Sequence, residues 1–249
     1  MCTTKIWTFI KLFDKETYAD QFVKGHLHFN TLGCFKKREN EYDDGRADPN
    51  EGVAKWLQPS DILVNIKGLG TDIPIEITKG DLAGPVSIAF RYHDYLNILC
   101  MYAVHTTGFR RVAGTFHCEP HEVDELQRQL NFDDKCLELG KFAVMVVAAP
   151  FLDRLSEACR SHGYRTAWRL VEYYDDETFS GAITENDIPF KKQKRFAHQR
   201  EFRFCVDTGT RQNEPIKIDI GDISNISEKV DPATLHGRLQ LTPDPPASS

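Results

Sequence analysis

Residues 199–206, Gln-Arg-Glu-Phe-Arg-Phe-Cys-Val, constrain the fold more than any other stretch. Phe202, Phe204 and Val206 recur at every second position, and Gln199, Glu201, Arg203 and Cys205 fill the alternate ones. A period of two marks a β-strand whose two faces meet different surroundings. The Phe face belongs to a core, which fixes Glu201 on the opposite face between Gln199 and Arg203. A carboxylate held on a rigid strand between hydrogen-bonding neighbours is preorganised as a catalytic or ligand-orienting acid requires. The same spacing also describes a surface ladder in which Glu201 merely pairs with Arg203, worth ~0–1 kcal/mol.

Around this strand the pattern is α+β: a strand-dominated single domain over 1–241 with about three helices. Ile6–Phe13 and His26–Leu32 read as strands flanking a helix over Lys15–Lys24, capped by Asp14 and ended by Gly25. Further helices are expected over Glu119–Leu130 and Phe151–Gly163. Strands are expected at Ile62–Ile66, Ile73–Ile77, Val86–Tyr92, Asn97–His105, Phe142–Ala148, Ala167–Tyr174 and Ile216–Ile220, and within Phe196–Val206. Residues 242–249 are rich in Pro and polar side chains and read as a disordered tail.

Composition narrows the setting. Hydrophobic residues make up 41% of 249, enough for a core, yet no run approaches the ~18–20 apolar residues of a spanning helix. No membrane partner is expected. Met1–Trp7 shows no apolar run and no small-residue cleavage site, so a secretory signal is not expected there. Seven Cys, an odd and dispersed set without a CxxC, argue against a disulfide framework and point to the cytoplasm.

Two segments carry opposite charge. Residues 39–51 hold six acids and Arg46, and residues 191–203 hold six Lys or Arg and one acid. Arg46, steadied by Asp48 or Glu51, would offer its planar fork to a phosphate. The alternative is a solvated loop. An EF-hand reading places Tyr42 at a ligand position and fails there. The basic run, interleaved with Phe190, Phe196 and Phe202, would suit a nucleic-acid track or another partner. The net charge of −6 argues against a general nucleic-acid binder. His117-Cys118-Glu119-Pro120-His121 invites zinc but lacks two further ligands at useful spacing, and a helix start at Glu119-Pro120 explains it as well. No GxGxxG, GxxxxGK[ST] or GxSxG occurs.

Taken together, Lys24-Gly25-His26-Leu27-His28-Phe29-Asn30-Thr31-Leu32, the segment Gly45-Arg46-Ala47-Asp48-Pro49-Asn50-Glu51-Gly52 and Gln199-Arg200-Glu201-Phe202-Arg203-Phe204 resemble an uncharacterised bacterial protein family over about residues 5–230. More distantly they resemble ADP-ribosyltransferases, including toxin-like members that modify nucleic acid. That resemblance implies an ADP-ribosyltransferase-like fold with NAD as substrate. It implies a toxin or phage-defence effector acting on a nucleic acid or a protein, with a neutralising or defence-system partner. Glu201, Gln199 and Arg203 would form the catalytic set. Arg46, Thr31, Lys11, Asp48 and Glu51 would bind NAD, and Lys5 or Lys11 would supply the basic group of the first strand. The sequence departs from that pattern in having no Arg or His on its first strand and Asn30-Thr31 in place of a Ser-Thr-Ser run. Two rival readings stand beside it. One is a non-enzymatic binding protein using Lys191, Lys192, Lys194 and Arg195. The other is a metal-dependent nuclease gathering Asp44, Asp48, Glu51 and Glu201 around Mg²⁺.

Overall fold

The computed structural model describes residues 4–38, 48–66, 75–112, 115–117 and 119–240. In chain order the first strands are β1 (Lys5–Phe13), β2 (His26–Thr31), β3 (Val53–Leu57), β4 (Val64–Ile66), β5 (Ile75–Ile77) and β6 (Val86–Ala89). They are followed by β7 (Asn97–Thr106), β8 (Arg110–Val112), β9 (Thr115–His117), β10 (Phe142–Val147), β11 (Arg165–Leu170) and β12 (Glu172–Tyr174). The last are β13 (Gly181–Ala182), β14 (Lys191–Gln193), β15 (Glu201–Asp207), β16 (Ile216–Asp219) and β17 (Ser227–Val230). The α-helices are α1 (Glu16–Val23), α2 (Leu32–Arg38), α3 (Pro120–Leu130) and α4 (Ala148–Ser161). The chain is therefore a strand-rich, mixed α+β structure.

The main sheet has eight strands and runs β11-β15-β7-β1-β10-β17, every pairing antiparallel. β2 shares one edge of β7 with β1 and carries β16 on its far side. A smaller sheet, β13-β3-β6, lies apart from it. Ten-residue β7 is long enough to pair with β15 on one edge and with β1 and β2 on the other, so residues distant in sequence meet across it.

Helices α1 and α4 cover one face of the main sheet. The rings of Phe9 and Phe202 lie 4.9 Å apart and those of Phe151 and Phe204 5.8 Å apart, joining β1, β15 and α4 in one apolar cluster. Phe151, Leu155 and Cys159 repeat at four-residue spacing and form the buried stripe of α4. The opposite face is also covered. Ile10, Tyr102, Val104 and Phe132 pack there, and Leu32, Ile98, Phe190 and Cys205 form a neighbouring cluster. The side of β15 that bears Glu201 and Arg203 is therefore interior, and the surface-ladder reading of these residues does not hold.

Other expectations are met with changes of detail. α1 begins at Glu16 with Lys15, and not the expected Asp14, at its N-cap position, and Lys15 makes no side-chain cap hydrogen bond. α2 adds a helix to the expected set: Thr31 Oγ1 accepts the Cys34 amide at 3.2 Å and starts a turn where the strand ends. Residues 91–95 and 194–199 form 3₁₀ turns, so the strand expected over 86–92 stops at Ala89 and the one expected within 196–206 begins at Glu201, and residues 165–174 divide into β11 and β12. The tail at 242–249 and the acidic residues 39–47 lie outside the described residues. Among the described residues no helix is long and apolar enough to cross a membrane.

Gly25 shows how tightly the turn after α1 is set. Its φ is +87°, and a Cβ there would lie 1.9 Å from the Gly221 carbonyl oxygen. Gly25→Ala is expected to destabilise the protein by more than ~1 kcal/mol, read as a lower midpoint in urea.

Candidate functional site

Residues 48–51, Asp-Pro-Asn-Glu, are suited to a turn by Pro in second place and an Asp able to bond its own backbone. The Glu51 amide donates to the Asp48 carbonyl at 3.1 Å, and the Asn50 amide to Asp48 Oδ1 at 2.9 Å. This turn directs both carboxylates inward, where each residue is 1% exposed. The acidic segment thus meets the late strand 152 residues further on.

Arg203 is 1% exposed and is the largest fully buried side chain among the described residues. All five of its N–H groups are used. Nε donates to Glu201 Oε1 at 2.9 Å and Nη2 to Glu201 Oε2 at 3.2 Å. Nη2 also donates to Glu51 Oε1 at 2.5 Å, and Nη1 to Glu51 Oε2 and the Pro189 carbonyl, both at 2.8 Å. Lys192 completes the group. Its Nζ donates to Gln199 Oε1 at 2.8 Å and lies 3.4 Å from Glu201 Oε2 and 3.6 Å from Glu51 Oε1. Two acids and two bases therefore balance in charge inside the protein, the condition under which buried ions are tolerated.

The electrostatics follow from this geometry. Burial alone would raise the Glu201 carboxyl. The charges of Arg203 and Lys192, with hydrogen bonds from Arg203 and the Cys100 thiol, outweigh burial and hold it below the usual carboxylate range. Burial opposes charge on Lys192, but Glu201 and Glu51 keep its ammonium protonated. Cys100 is pushed up by burial and by Glu201, so its thiol remains a donor.

Asp48 differs. Burial first, then the charge of Glu51, push its carboxyl up to about 6. Among the described residues its Oδ2 is buried without a hydrogen-bond partner, and the nearest cation, Arg195 Nη2, is 3.9 Å from Oδ1. A folded-state value above the ordinary 3.8 means that the folded protein binds more protons across that interval. This contribution to stability is largest below pH ~4 and is lost as pH rises through about 6, a change of about 3 kcal/mol. Asp48→Asn keeps an acceptor for the Asn50 amide and removes the titration. The variant is expected to be more stable than the wild type at about pH 8 and to show a flatter midpoint against pH between about 4 and 7 in urea titrations.

A cavity of about 260 Å³ adjoins the ionic group, and Glu201, Tyr173, His105, Arg200 and the apolar Leu170 and Val171 line it. The Glu201 amide donates to Tyr173 Oη at 2.9 Å. Arg200 Nη2 donates to the His105 carbonyl at 2.8 Å, and Nη1 to the Gln129 carbonyl at 2.6 Å. Arg200 is the one non-glycine residue with positive φ among the described residues, at φ 39° and ψ 48°. That backbone is uncommon for a side chain with a Cβ and is kept in place by the surrounding contacts. It turns the chain from the 3₁₀ turn into β15 and sets Arg200 at the cavity and Glu201 at the head of the strand.

The sequence-derived site residues separate into groups. Glu201, Gln199, Arg203, Glu51 and Asp48 converge. Gln199 does so through Lys192, because β15 starts at Glu201 and the expected shared strand face stops there. Lys11 Nζ donates to the Cys100 carbonyl at 2.6 Å, across β7 from Arg203, while Lys5 lies over the Trp7 ring. Thr31 is not brought to Glu201. It pairs with Asn97, whereas Glu201 pairs with Tyr102, five positions or about 17 Å away along β7. Its hydroxyl donates to Asn213 Oδ1. Arg46 and Asp44 lie outside the described residues.

The basic run does not form an open track. Lys192 is buried, Lys191 pairs with Glu172, Lys194 pairs with Asp175 at 2.9 Å, and Phe190, Phe196 and Phe202 are buried. Glu119 and Glu122 form a capping box with Pro120 in the first turn of α3, so the His-Cys-Glu-Pro-His stretch includes a helix start. Among the described residues no group of three or more His, Cys, Asp or Glu is arranged to hold a metal ion. Cys100, Tyr173 and Arg200 were not singled out as site residues by sequence reasoning, and Lys192 was read as part of a partner-binding run and not of the Glu201 site. The signal for Lys192 was its place in the Lys/Arg run, which pointed toward solvent.

No protein-family model matches the chain, and no curated protein or solved structure shows detectable similarity to it.

Proposed function

We propose that the protein acts on NAD by ADP-ribosyl transfer, with Glu201 as the catalytic acid and the cavity beside it as the nicotinamide-ribose site. The observation that carries this reading is the division of labour between the two carboxylates. Glu51 takes the short contacts of Arg203, at 2.5 and 2.8 Å. Glu201 Oε2 takes longer contacts from Arg203 and Lys192, at 3.2 and 3.4 Å. A ribose hydroxyl can replace the long Lys192 contact, since Gln199 already holds that ammonium at 2.8 Å.

The chemistry asked of such a site is modest. When the nicotinamide–ribose bond breaks, nicotinamide leaves with the bonding electrons and positive charge develops at the ribose carbon. A carboxylate fixed in its ionised form stabilises that charge without reorganising. The Tyr173, Leu170 and Val171 wall suits a flat ring. The cavity volume fits the nicotinamide end and not the whole dinucleotide, so the remainder would extend outward past Arg200. The toxin or phage-defence setting, and an acceptor that is a nucleic acid or a protein, belong to the same proposal and rest on the resemblance of the Gln-x-Glu strand. The test is to incubate the protein with NAD, measure released nicotinamide, and follow labelled ADP-ribose into candidate acceptors. Nicotinamide release by the wild type supports the reading, and NAD left intact at high enzyme concentration with every acceptor class opposes it.

A further inference from the structure

At the other end of β7, Gly33, Lys36, Arg91, Asp94, Tyr95 and Asn213 line a second cavity of about 340 Å³. Lys36 is ion-paired with Asp94, which leaves Arg91 as an exposed guanidinium at the rim. A Cβ on Gly33 would meet Asn213 Oδ1 at 2.9 Å and Asp94 Cβ at 3.1 Å, so glycine keeps this wall open.

On either side of Arg91 in sequence, Phe90 and Tyr92 are 43% and 48% exposed. Their rings are stacked, with centroids 5.6 Å apart and planes 13° from parallel. The Glu185 carboxylate lies at the Tyr92 hydroxyl and steadies the ring from one side. Beneath them His93 is 4% exposed, its centroid is 4.1 Å from that of Tyr92, and neither ring nitrogen has a hydrogen-bond partner among the described residues. A buried imidazole with both nitrogens unsatisfied retains hydrogen-bonding capacity that a ligand can use. Exposed, ordered aromatic faces beside a cation are the elements with which proteins hold a base and its phosphate.

We infer that this surface binds a nucleotide unit, with the base on the Phe90–Tyr92 stack and the phosphate at Arg91. The inference does not depend on the NAD reading, since it uses none of the residues around Glu201. It also differs from a track along the basic run, whose charges are largely paired or buried. The unit has two sources, a free mononucleotide or a single strand of nucleic acid, and the two share this chemistry.

The test uses the full chain, with calorimetric titration of adenosine monophosphate and fluorescence anisotropy of a labelled single-stranded oligonucleotide of about eight nucleotides. Binding is expected in at least one arm, and the arm that responds identifies the source. Tyr92→Ala is expected to weaken it about 5- to 100-fold at every salt concentration, as for lost base stacking. Arg91→Ala is expected to weaken it and to lower its salt dependence by about one phosphate contact. Lys194→Ala, in the basic run, should leave it unchanged. Both site residues are exposed, so unchanged melting temperatures verify folding. No binding in either arm overturns the inference, as does binding that Tyr92→Ala and Arg91→Ala both leave intact.

Discussion

Arg203→Met is expected to cost about 3–5 kcal/mol at about pH 8 and to leave little folded protein if the wild type has ordinary stability. The substitution roughly preserves the apolar stem of the side chain but removes five donated hydrogen bonds. Glu51 and Glu201 are then left facing one another in the interior with Lys192 as their remaining cation among the described residues. Their charged forms become unfavourable, and protonation relieves the repulsion. The deficit relative to wild type should therefore shrink as pH falls toward about 5, measured as the difference in urea midpoints. A loss below about 1 kcal/mol, independent of pH, would mean that the ionic group is not the brace described here.

In the wild type two carboxyls pull the pH dependence in opposite directions. Asp48, raised to about 6, favours the folded state increasingly as pH falls toward its unfolded 3.8. Glu201, held low, contributes stability that is complete above the ordinary 4.5 and is lost as pH falls through its folded value. From these two groups alone, maximum stability is expected near pH ~4, on the acid side of neutrality.

Glu201→Gln is expected to reduce nicotinamide release from NAD by about 10²–10³-fold, the usual consequence of losing one preorganised electrostatic contact in a transition state. Glutamine keeps the length and an acceptor oxygen for Arg203 Nε but carries no charge to oppose the developing cation. Because the residue is buried, the variant can also lose stability. A second variant, Tyr173→Phe, separates the two effects. It keeps the ring wall of the cavity and leaves the carboxylate untouched, while removing the hydroxyl that accepts the Glu201 amide. It should retain most of the activity, with a melting point lowered by a few degrees. Activity lost equally in both variants, in proportion to stability, would assign Glu201 to the fold and not to catalysis.

How much of this was legible in the sequence depends on the range of the interaction. The β15 strand was readable because its Phe face and its ionic face differ sharply, and the turn at Gly25 because glycine alone suits that backbone. The α2 helix was hidden because Thr31 ends the strand and caps the helix at once, so one residue served two signals. The 3₁₀ turn at 194–199 has neither period. Glu201 and Arg203 were recognised as a pair, but their burial was not, since charged residues are rarely fully interior. What makes it tolerable is Glu51, 152 residues from Arg203, and Lys192, which the sequence places in a basic, partner-binding run. The cavity lined by Tyr173, His105 and Arg200 draws on three separate segments, which no local pattern connects.

The most direct measurement is a crystal structure of the Glu201→Gln protein soaked with NAD, in which slowed turnover would preserve the substrate. The ring should lie against Tyr173 and Val171, with a ribose hydroxyl within hydrogen-bond reach of the side chain at position 201 and the pyrophosphate toward Arg200. NAD bound elsewhere, or an unchanged cavity at saturating NAD, would contradict the enzymatic account and leave the ionic group as a brace between the early turn and the late strand.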